Sequence, residues 1–357
     1  MKKHAIAEGK NYKMCKLKSG LLFKNGVFVP DYDSHDKMLT EKGIEDTAEN
    51  RIAGKFVRFE LSPENDDPFV PIDMWVFKID QDELPEWIKS DPEKYEAMAR
   101  AAVKEWAENH IFIGVDRLNL TDGSGYYLKD CTNVTLYGNS AVQDMCGNST
   151  VRNMCDSSTV QNMCGNSTVQ NMRDSSTVLN MCDNSTVQNM CGNSTVQYMR
   201  DSSTVRNMRD SSTVRNMCDN SAVRNMCDNS AVQDMCDNSA VRNMCDNSAV
   251  QDMCGNSTVQ NMYDSSTVQN MCGNSTVQNM YDSSTVQNMR CNSTVQNMRD
   301  SSTVQNMRGN STVQIAENWS KGVSVETIIL SQNATIKDFR TKTLYASGDW
   351  KLIIKQG

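Results

Sequence analysis

The sequence lacks the apolar run of about 18 residues that a membrane-spanning helix requires. Residues 1–22 are polar and contain many lysines, unlike the charged-then-apolar leader of a secreted protein. Neither feature points to a membrane or to export. The sequence therefore predicts a cytoplasmic protein without a membrane partner.

Histidine is scarce, which restricts acid–base catalysis and metal binding. The three histidines are His4 in a terminus, His35 in a polar loop and His110 at a helix end, and none has a metal-ligand spacing around it. The run Asp31–Asp36 is interpreted as an acidic surface loop rather than a cation or acid/base cluster. Cys15 lacks an adjacent base that would make it a nucleophile. We expect no catalytic residue, no metal site and no cofactor.

What the sequence has instead is a nine-residue unit that repeats from Gly138 to Gln314. Its nine positions read Cys/Arg/Tyr, Asp/Gly, Asn/Ser, Ser, Thr/Ala, Val, Gln/Arg, Asn/Asp and Met, and they are numbered 1 to 9 below. The valines recur at every ninth residue from Val142 to Val313 without an insertion or deletion. So short a unit buries its apolar residues only by stacking on the next, so the period predicts a solenoid.

The composition of the unit indicates β-structure. A turn at positions 2 and 3 precedes Ser-Thr-Val-Gln-Asn-Met, which has too many Asn, Ser and β-branched residues for a helical repeat. Gly255, Gly273 and Gly309 alternate with aspartate turns, which gives an 18-residue super-period. This predicts a parallel β-solenoid with two nonamers per 18-residue coil. Duplication of units in pairs, or a three-sided coil of 27 residues, would be the alternatives.

Strand alternation assigns a direction to each side chain. Val and Ser point inward, Thr and Gln/Arg point outward, and a bend near position 8 returns Met to the interior. The outward rows and position 1 supply the candidate binding residues. These are Thr150, Thr159, Thr168, Thr186, Arg206, Arg215, Arg224, Arg242, Tyr263, Tyr281, Arg290, Arg299 and Arg308.

Of the 14 cysteines, 12 lie in the repeat, and all of these except Cys291 occupy position 1. Other units carry Arg or Tyr at the same position, which indicates an exposed site that holds free thiols. Free thiols favour a reducing compartment over a cross-linked secreted protein.

The first part of the chain is predicted to be an α+β domain. Leu21–Val29 reads as a hairpin because Asn-Gly suits a two-residue turn, and Val57–Leu61 and Met74–Ile79 read as strands. The acidic stretch from Asp80 to Trp87 is interpreted as a solvated turn. Ser90–Glu93 has the form of a capping box. It predicts a helix to Asn109 with a buried stripe of Tyr95, Met98, Ala102 and Trp106.

An open end of a β-solenoid recruits other chains, so a stable solenoid needs a cap at each end. The sequences on both sides of the repeat suit this role. The stretch from Asp130 to Thr135 resembles a unit that is one residue out of register, and Asn333–Ile336 echoes another. Lys342–Lys355 reads as two strands around Ser347–Asp349, with Trp350 available to cover the last coil. We therefore predict domains at 1–112, 113–315 and 316–357, the last a degenerate coil with a short C-terminal β cap.

The repeat surface has features of three known functions of such surfaces, which are calcium binding, ice binding and imitation of DNA. Calcium binding fits poorly, because each turn has one Asp or Gly and few oxygens converge. Ice binding fits the Thr rows, but bulky Gln or Arg alternates with Thr, and Ala222, Ala231, Ala240 and Ala249 interrupt them. Imitation of DNA fits poorly too, because both charge signs are interspersed in the repeat.

The repeat resembles bacterial or bacteriophage β-solenoid proteins with short degenerate repeats, and the motif Asp/Gly-Asn/Ser-Ser-Thr/Ala-Val-Gln/Arg-Asn/Asp-Met carries this resemblance. The resemblance implies an architecture, not an activity. We predict a non-enzymatic binding or scaffolding protein with a protein partner, and with self-association through a terminal domain as a further option. An inhibitor or decoy of phage type that occupies a host target, and an ice-binding solenoid, are the alternatives.

Overall fold

The computed structural model describes residues 18–316 and 329–347. Its described residues form two compact units. The first comprises the residues up to Ile113 together with Gly125–Tyr127, and the second comprises Gly114–Ser124 and the residues from Leu128 onward.

The first unit is a small antiparallel sheet with helices. Its elements are β1 (Lys18–Phe23), β2 (Gly26–Phe28), α1 (His35–Glu41), α2 (Ala48–Ile52), β3 (Val57–Ser62), β4 (Val76–Ile79), α3 (Glu86–Ser90) and α4 (Pro92–His110), with 3₁₀ turns at Glu64–Asp66 and Ile72–Met74. The strands lie in the order β2, β1, β3, β4, and Leu21 pairs with Phe28 across the predicted hairpin.

The helices of this unit depart from the prediction in two ways. Asp91, not Ser90, caps α4, because its carboxylate accepts a hydrogen bond from the Lys94 amide at 3.3 Å. Ser90 ends α3, which begins at Glu86 inside the stretch interpreted as a solvated turn. Proline at the first position of α4 is as predicted, since that residue needs no amide donor.

The buried stripe of α4 begins at Tyr95 as predicted, but its later members are each one residue further along the sequence than predicted. Tyr95, Ala99, Val103 and Ala107 are buried at four-residue spacing, whereas Met98 and Trp106 are half-buried at its flank. The stripe packs on the sheet around Phe59, which is fully buried.

The second unit is a parallel β-solenoid, as predicted. Its strands, together with the preceding β5, are β5 (Ile111–Ile113), β6 (Asp116–Thr121), β7 (Tyr126–Lys129), β8 (Thr132–Tyr137), β9 (Ala141–Cys146), β10 (Thr150–Met154), β11 (Thr159–Met163), β12 (Thr168–Met172), β13 (Thr177–Met181), β14 (Thr186–Met190), β15 (Thr195–Met199), β16 (Thr204–Met208), β17 (Thr213–Met217), β18 (Ala222–Met226), β19 (Ala231–Met235), β20 (Ala240–Met244), β21 (Ala249–Met253), β22 (Thr258–Met262), β23 (Thr267–Met271), β24 (Thr276–Met280), β25 (Thr285–Met289), β26 (Thr294–Met298), β27 (Thr303–Met307), β28 (Thr312–Ile315), β29 (Ile329–Leu330), β30 (Thr335–Asp338) and β31 (Thr343–Ala346).

Consecutive strands alternate between two sheets. The odd sheet contains the 13 odd-numbered strands from β5 to β29, and the even sheet contains 14 strands, the even-numbered ones from β6 to β30 with β31 at its edge. Within a sheet, residues 18 apart pair in register, as Val223 does with Val241. The 18-residue coil of two nonamers is thereby confirmed.

The interior is built from positions 4, 6 and 9. Val223, Met226 and Ser221 are each at most 1% exposed, and the same three positions are buried in every unit from β9 to β27. The inward Val and Ser and the return of Met are therefore confirmed. Thr at position 5 is half-buried, so it is less exposed than the predicted outward row.

The turns depend on a left-handed residue at position 2. Asp246 has a φ of 54° and Gly273 a φ of 64°, a region that Gly, Asp and Asn enter most readily. In most units position 2 is therefore Asp or Gly. The glycines of the predicted super-period, including Gly255, Gly273 and Gly309, follow strands of the odd sheet, which gives that period a structural basis.

The degenerate units at both ends are solenoid strands. Val134 of β8 pairs with Val151, and the register then shifts by one residue, as predicted. Ile336 of β30 pairs with Val313. Beyond it, β31 pairs antiparallel with β30 and ends the even sheet among the described residues. The second predicted cap strand and Trp350 lie outside the described residues.

Candidate functional surfaces of the solenoid

The even sheet carries a ladder of arginines at position 7. Arg206, Arg224 and Arg242 follow the paired valines of β16, β18 and β20, so they stand in adjacent strands. All three are exposed, and no ion pair to any of them occurs among the described residues. Adjacent strands are about 4.8 Å apart, so three guanidinium groups form one row.

Beside this row, position 8 of the even sheet forms an unbroken asparagine ladder. Asn243 Nδ2 donates to Asn225 Oδ1 at 3.0 Å, and Asn225 Nδ2 donates to Asn207 Oδ1 at 2.9 Å. The ladder continues through Asn153, Asn171, Asn189, Asn207, Asn225, Asn243, Asn261, Asn279 and Asn297. Each side chain is fixed by its neighbours, which stiffens this face.

The odd sheet has the same ladder with interruptions. Tyr198 replaces one asparagine and is 43% exposed, and Asp234 and Asp252 replace two others in adjacent strands. Burial, followed by the charge of Asp252, raises the pKa of Asp234. Arg215 is the one arginine at position 7 of this sheet from β9 to β27. The two sheets therefore differ in charge, with arginines on one and paired aspartates on the other.

Position 1 forms a column along each edge of the solenoid. The first edge follows strands of the odd sheet and contains Cys146, Cys164, Cys182, Arg200, Cys218, Cys236, Cys254, Cys272, Arg290 and Arg308. The second edge follows strands of the even sheet and contains Cys155, Arg173, Cys191, Arg209, Cys227, Cys245, Tyr263, Tyr281 and Arg299.

The prediction that the repeat thiols are exposed and free is wrong in part. The structure bridges Cys218 to Cys236 and Cys254 to Cys272, with Cα atoms 4.9 and 4.8 Å apart. Stacking of coils brings position-1 cysteines 18 residues apart within disulfide range. The position-1 cysteines are also half-buried rather than exposed, while Cys291 at position 2 is exposed.

Aromatic and basic side chains stack on the second edge as well. The rings of Tyr263 and Tyr281 are 4.9 Å apart with an interplanar angle of 7°, and Arg299 lies 5.4 Å from the centroid of Tyr281. The even spacing of the coils produces these contacts, because each position-1 side chain meets its copy in the next coil.

Cysteines and aspartates also converge at the edges, although no metal-ligand spacing was recognised in the sequence. Ligand atoms lie within 4.8 Å of one another in three groups there, which are Cys218, Cys236 and Asp237; Cys227, Cys245 and Asp246; and Cys182, Asp183 and Asp201. Members of a group from different coils are 18 residues apart, so they become neighbours only after coiling. Burial, followed by a hydrogen bond with Cys227, raises the pKa of Cys245.

The first unit holds a charged cluster where the sequence suggested an acidic surface loop. The Lys18 side chain is 1% exposed, and its Nζ lies 2.9 Å from Asp33 Oδ1 and 4.6 Å from the Trp106 ring centroid. His110 Nε2 lies 3.1 Å from Asp31 Oδ1, and its ring stacks 4.5 Å from that of Trp106. The side chains of Asp31 and Asp33 are themselves 69% and 46% exposed, so this segment is an acidic surface loop as predicted, and two of its carboxylates pair with buried basic groups.

His35 is the first residue of α1 and does not lie in the polar loop that the sequence suggested. Its Nδ1 lies 3.3 Å from Asp80 Oδ2. A 360 Å³ surface cavity of this unit is lined by residues that include Asp31, Glu105 and His110. Short-range sequence patterns gave no signal for the charged cluster, because its members come from β1, from the loop after β2 and from the end of α4.

The structure places the predicted site residues on several surfaces. Thr150, Thr168, Thr186, Arg206, Arg224 and Arg242 belong to the even sheet, Thr159 and Arg215 to the odd sheet, Arg290 and Arg308 to the first edge, and Tyr263, Tyr281 and Arg299 to the second edge. Four groups of predicted residues come together in consecutive coils, which are Thr150, Thr168 and Thr186; the arginine triplet of the even sheet; Arg290 and Arg308 on the first edge; and the Tyr263–Tyr281–Arg299 stack. The asparagine ladder was missed, although the recurrence of Asn at position 8 was its signal.

No helix among the described residues is long and apolar enough to cross a membrane. No protein-family model matches the chain, and neither a curated protein nor a solved structure is significantly similar to it.

Proposed function

We propose that the chain is a non-enzymatic binding protein whose even sheet holds an extended, acidic segment of a partner protein. The row formed by Arg206, Arg224 and Arg242 carries this proposal. A guanidinium group binds a carboxylate through two parallel hydrogen bonds, and three of them in register suit acidic side chains on an extended chain.

The surroundings of the row support an anionic ligand. The neighbouring position-8 side chains are Asn207, Asn225 and Asn243, which are neutral and held in their ladder. A partner's carboxylates would therefore meet the guanidinium groups beside a rigid, uncharged asparagine ladder. A rigid surface favours binding because little conformational entropy is lost there.

The charge of the odd sheet explains why an acidic partner would bind the even sheet and not the odd one. Asp234 and Asp252 lie in β19 and β21, among the same coils as the arginine row. An acidic segment would be repelled by these carboxylates and attracted by the arginines. The repeated surface also suits an extended partner better than a single small substrate, since a contact made on one coil recurs on the next.

The test is a variant that replaces the three arginines by glutamine. Gln already occupies position 7 in neighbouring even-sheet strands, for example Gln260 and Gln278, so the triple change R206Q/R224Q/R242Q fits the fold. Arg215→Gln on the odd sheet is the matched control. Binding of a fluorescent glutamate-rich peptide is measured by anisotropy at several salt concentrations.

We expect the triple variant to bind the peptide at least about tenfold more weakly, with a smaller salt dependence, and R215Q to bind as the wild type does. Partner proteins captured from cells should be lost in parallel. Equal binding by wild type and triple variant would overturn the proposal. R215Q removes one charge and the triple variant three, so a free-energy loss in R215Q of about one third of that in the triple variant would assign the effect to net charge alone.

A further inference from the structure

We propose that Cys227, Cys245 and Asp246 form a binding site for a divalent d¹⁰ cation of the zinc class. Cys227 and Cys245 occupy position 1 of consecutive coils on the second edge, and Asp246 follows Cys245 directly. Their ligand atoms all lie within 4.8 Å of one another. Two thiolates and one carboxylate are a ligand set that Zn²⁺ accepts.

The spacing of the sulfurs is compatible with tetrahedral coordination. Zn–S bonds of about 2.3 Å at a tetrahedral angle place two sulfurs about 3.8 Å apart, inside the observed limit. Cys245 Sγ is held by a hydrogen bond of 3.4 Å to the Met226 carbonyl, so it already lies at the coil boundary. A small rotation of either thiol brings the pair to the bonding distance.

The carboxylate is oriented by the backbone. The Asp228 amide donates to Asp246 Oδ2 at 3.3 Å, which leaves Oδ1 for the cation. The thiols are half-buried and Asp246 is exposed, so the fourth coordination position faces solvent and takes a water molecule. Binding of the cation releases the two thiol protons to solvent.

Other cysteine pairs of the chain show what makes this pair distinctive. Cys254 and Cys272 also stack, but Gly255 and Gly273 follow them, so no carboxylate follows either thiol, and the two are bridged. The set of Cys218, Cys236 and Asp237 has the same ligand types, but its thiols form a disulfide. Cys182 on the first edge is also unbridged, but its group contains Asp183 and Asp201 and no second thiol. Among the edge groups of the described residues, the one formed by Cys227, Cys245 and Asp246 combines two unbridged thiols with a carboxylate.

The test compares a stacked pair with a separated pair at the same edge. Cys155 and Cys191 lie at the same position, with Arg173 in the coil between them, so they cannot share one ion. The double variants C227S/C245S and C155S/C191S are prepared as full chains with a non-chelating reductant. Zinc bound after equilibrium dialysis is measured by elemental analysis, and far-UV circular dichroism verifies that each variant is folded.

We expect C227S/C245S to bind one zinc equivalent fewer per chain than the wild type, and C155S/C191S to bind as many as the wild type. Asp246→Asn should weaken the same site at least about tenfold, because even residues outside the coordination sphere change metal affinity by about 10–100-fold. Addition of zinc should slow amide hydrogen exchange around residues 227–246 in the wild type. The same addition should leave exchange in C227S/C245S unchanged.

Three outcomes would overturn the assignment. Unchanged zinc content in C227S/C245S would show that the pair does not bind the cation. An equal loss in C155S/C191S would show that single thiols bind zinc without pairing. A folded C227S/C245S that keeps its zinc-dependent protection at residues 227–246 would likewise contradict it.

Discussion

The two units of the chain bury their apolar residues in opposite ways. The first unit has two clusters of unlike side chains, and the larger one contains Phe59 of β3, Trp75 just before β4 and Tyr95 of α4. The solenoid repeats the same Val, Met and Ser in coil after coil. In the first unit, the loss of one side chain therefore affects the whole cluster that contains it. In the solenoid, each coil contacts only its neighbours, so the effect of a lost side chain stays local.

The largest effect is expected in the first unit. Phe59 is fully buried and its ring lies 6.0 Å from that of Phe77, so Phe59→Ala should lower the free energy of unfolding of this unit by about 3–5 kcal/mol. Peptide-resolved hydrogen exchange in denaturant follows each unit separately. The control is Val76→Ala, since Val76 is 61% exposed and its loss should cost no more than about 0.5 kcal/mol.

A valine of the solenoid should matter less and only locally. Val223 is 1% exposed, and its truncation to Ala removes two methyl groups, a cost of about 2 kcal/mol. Exchange should accelerate in β18 and in its sheet neighbours β16 and β20, and the first unit should be unaffected. Equal acceleration in all strands would mean that the solenoid unfolds as one cooperative body, and the contrast between the units would fail.

Deletion of repeats tests the two-sided coil directly. Removing the 18 residues Tyr263–Met280 joins Met262 to Tyr281, which heads a nearly identical unit, so both sheets stay in register. Far-UV circular dichroism should keep its β signal, and exchange protection of β20–β22 should hardly change. Loss of folding would contradict an 18-residue coil.

Removing only the nine residues Tyr263–Met271 should also give a folded chain, but it exchanges the edges beyond the cut. Cys272 then moves from the first edge, above Cys254, to the second edge, above Cys245. Disulfide mapping of the oxidised chain by mass spectrometry should find Cys272 linked to Cys245. A retained Cys254–Cys272 link would rule out the two-sided arrangement.

The strict period explains why the solenoid was predictable. A nine-residue spacing indicates which residues face inward, and the glycine alternation ending at Gly309 favours two units per coil over three. The edge contacts, such as Cys218 with Cys236, follow from coil stacking but involve residues 18 apart, for which local patterns give no signal. Cysteine exposure was misjudged because side chains at one edge cover each other.

The first unit was harder to predict because its elements are short and its contacts are unique. The helices α1 and α2 have seven and five residues, too few to display a periodic apolar stripe. Lys18 lies in the polar, lysine-containing segment 1–22, yet its side chain is buried against Trp106 and Asp33. Such pairings depend on the tertiary fold, so neither composition nor spacing indicates them.

The buried Lys18 makes the stability of the first unit depend on pH. Burial lowers the pKa of Lys18 from 10.5, and Asp33 opposes this shift only in part. Between the lowered pKa and 10.5 the unfolded chain binds more protons than the folded one, so the stability of the unit rises with pH in this window.

Comparison with Lys18→Met isolates this contribution. The stability advantage of the variant over the wild type should shrink as the pH rises through the window, as measured by urea unfolding at several pH values. Tyr32, whose pKa the hydrogen bond with Glu41 raises to about 12, acts in the opposite direction above pH 10. It is present in both proteins and cancels. A difference independent of pH would show that Lys18 keeps its proton throughout.

The smallest effect is expected for the buried serines of the solenoid. Ser221 Oγ is buried and has no hydrogen-bond partner among the described residues, so the fold already bears the cost of its desolvation. Ser149 differs, because its Oγ donates to the Cys146 carbonyl at 2.8 Å and accepts from the Cys131 amide at 3.2 Å.

Replacing Ser221 by Ala should therefore change the stability of its coil by no more than about 0.5 kcal/mol, in the stabilising direction, whereas Ser149→Ala should cost about 1 kcal/mol. Hydrogen exchange of β18 and β10 measures the two effects. Since the substitutions are chemically identical and both side chains are fully buried, only the hydrogen bonds distinguish them. Equal costs at the two positions would mean that Ser221 is hydrogen-bonded in solution, and that position 4 contributes a polar ladder as well as a small side chain to every coil.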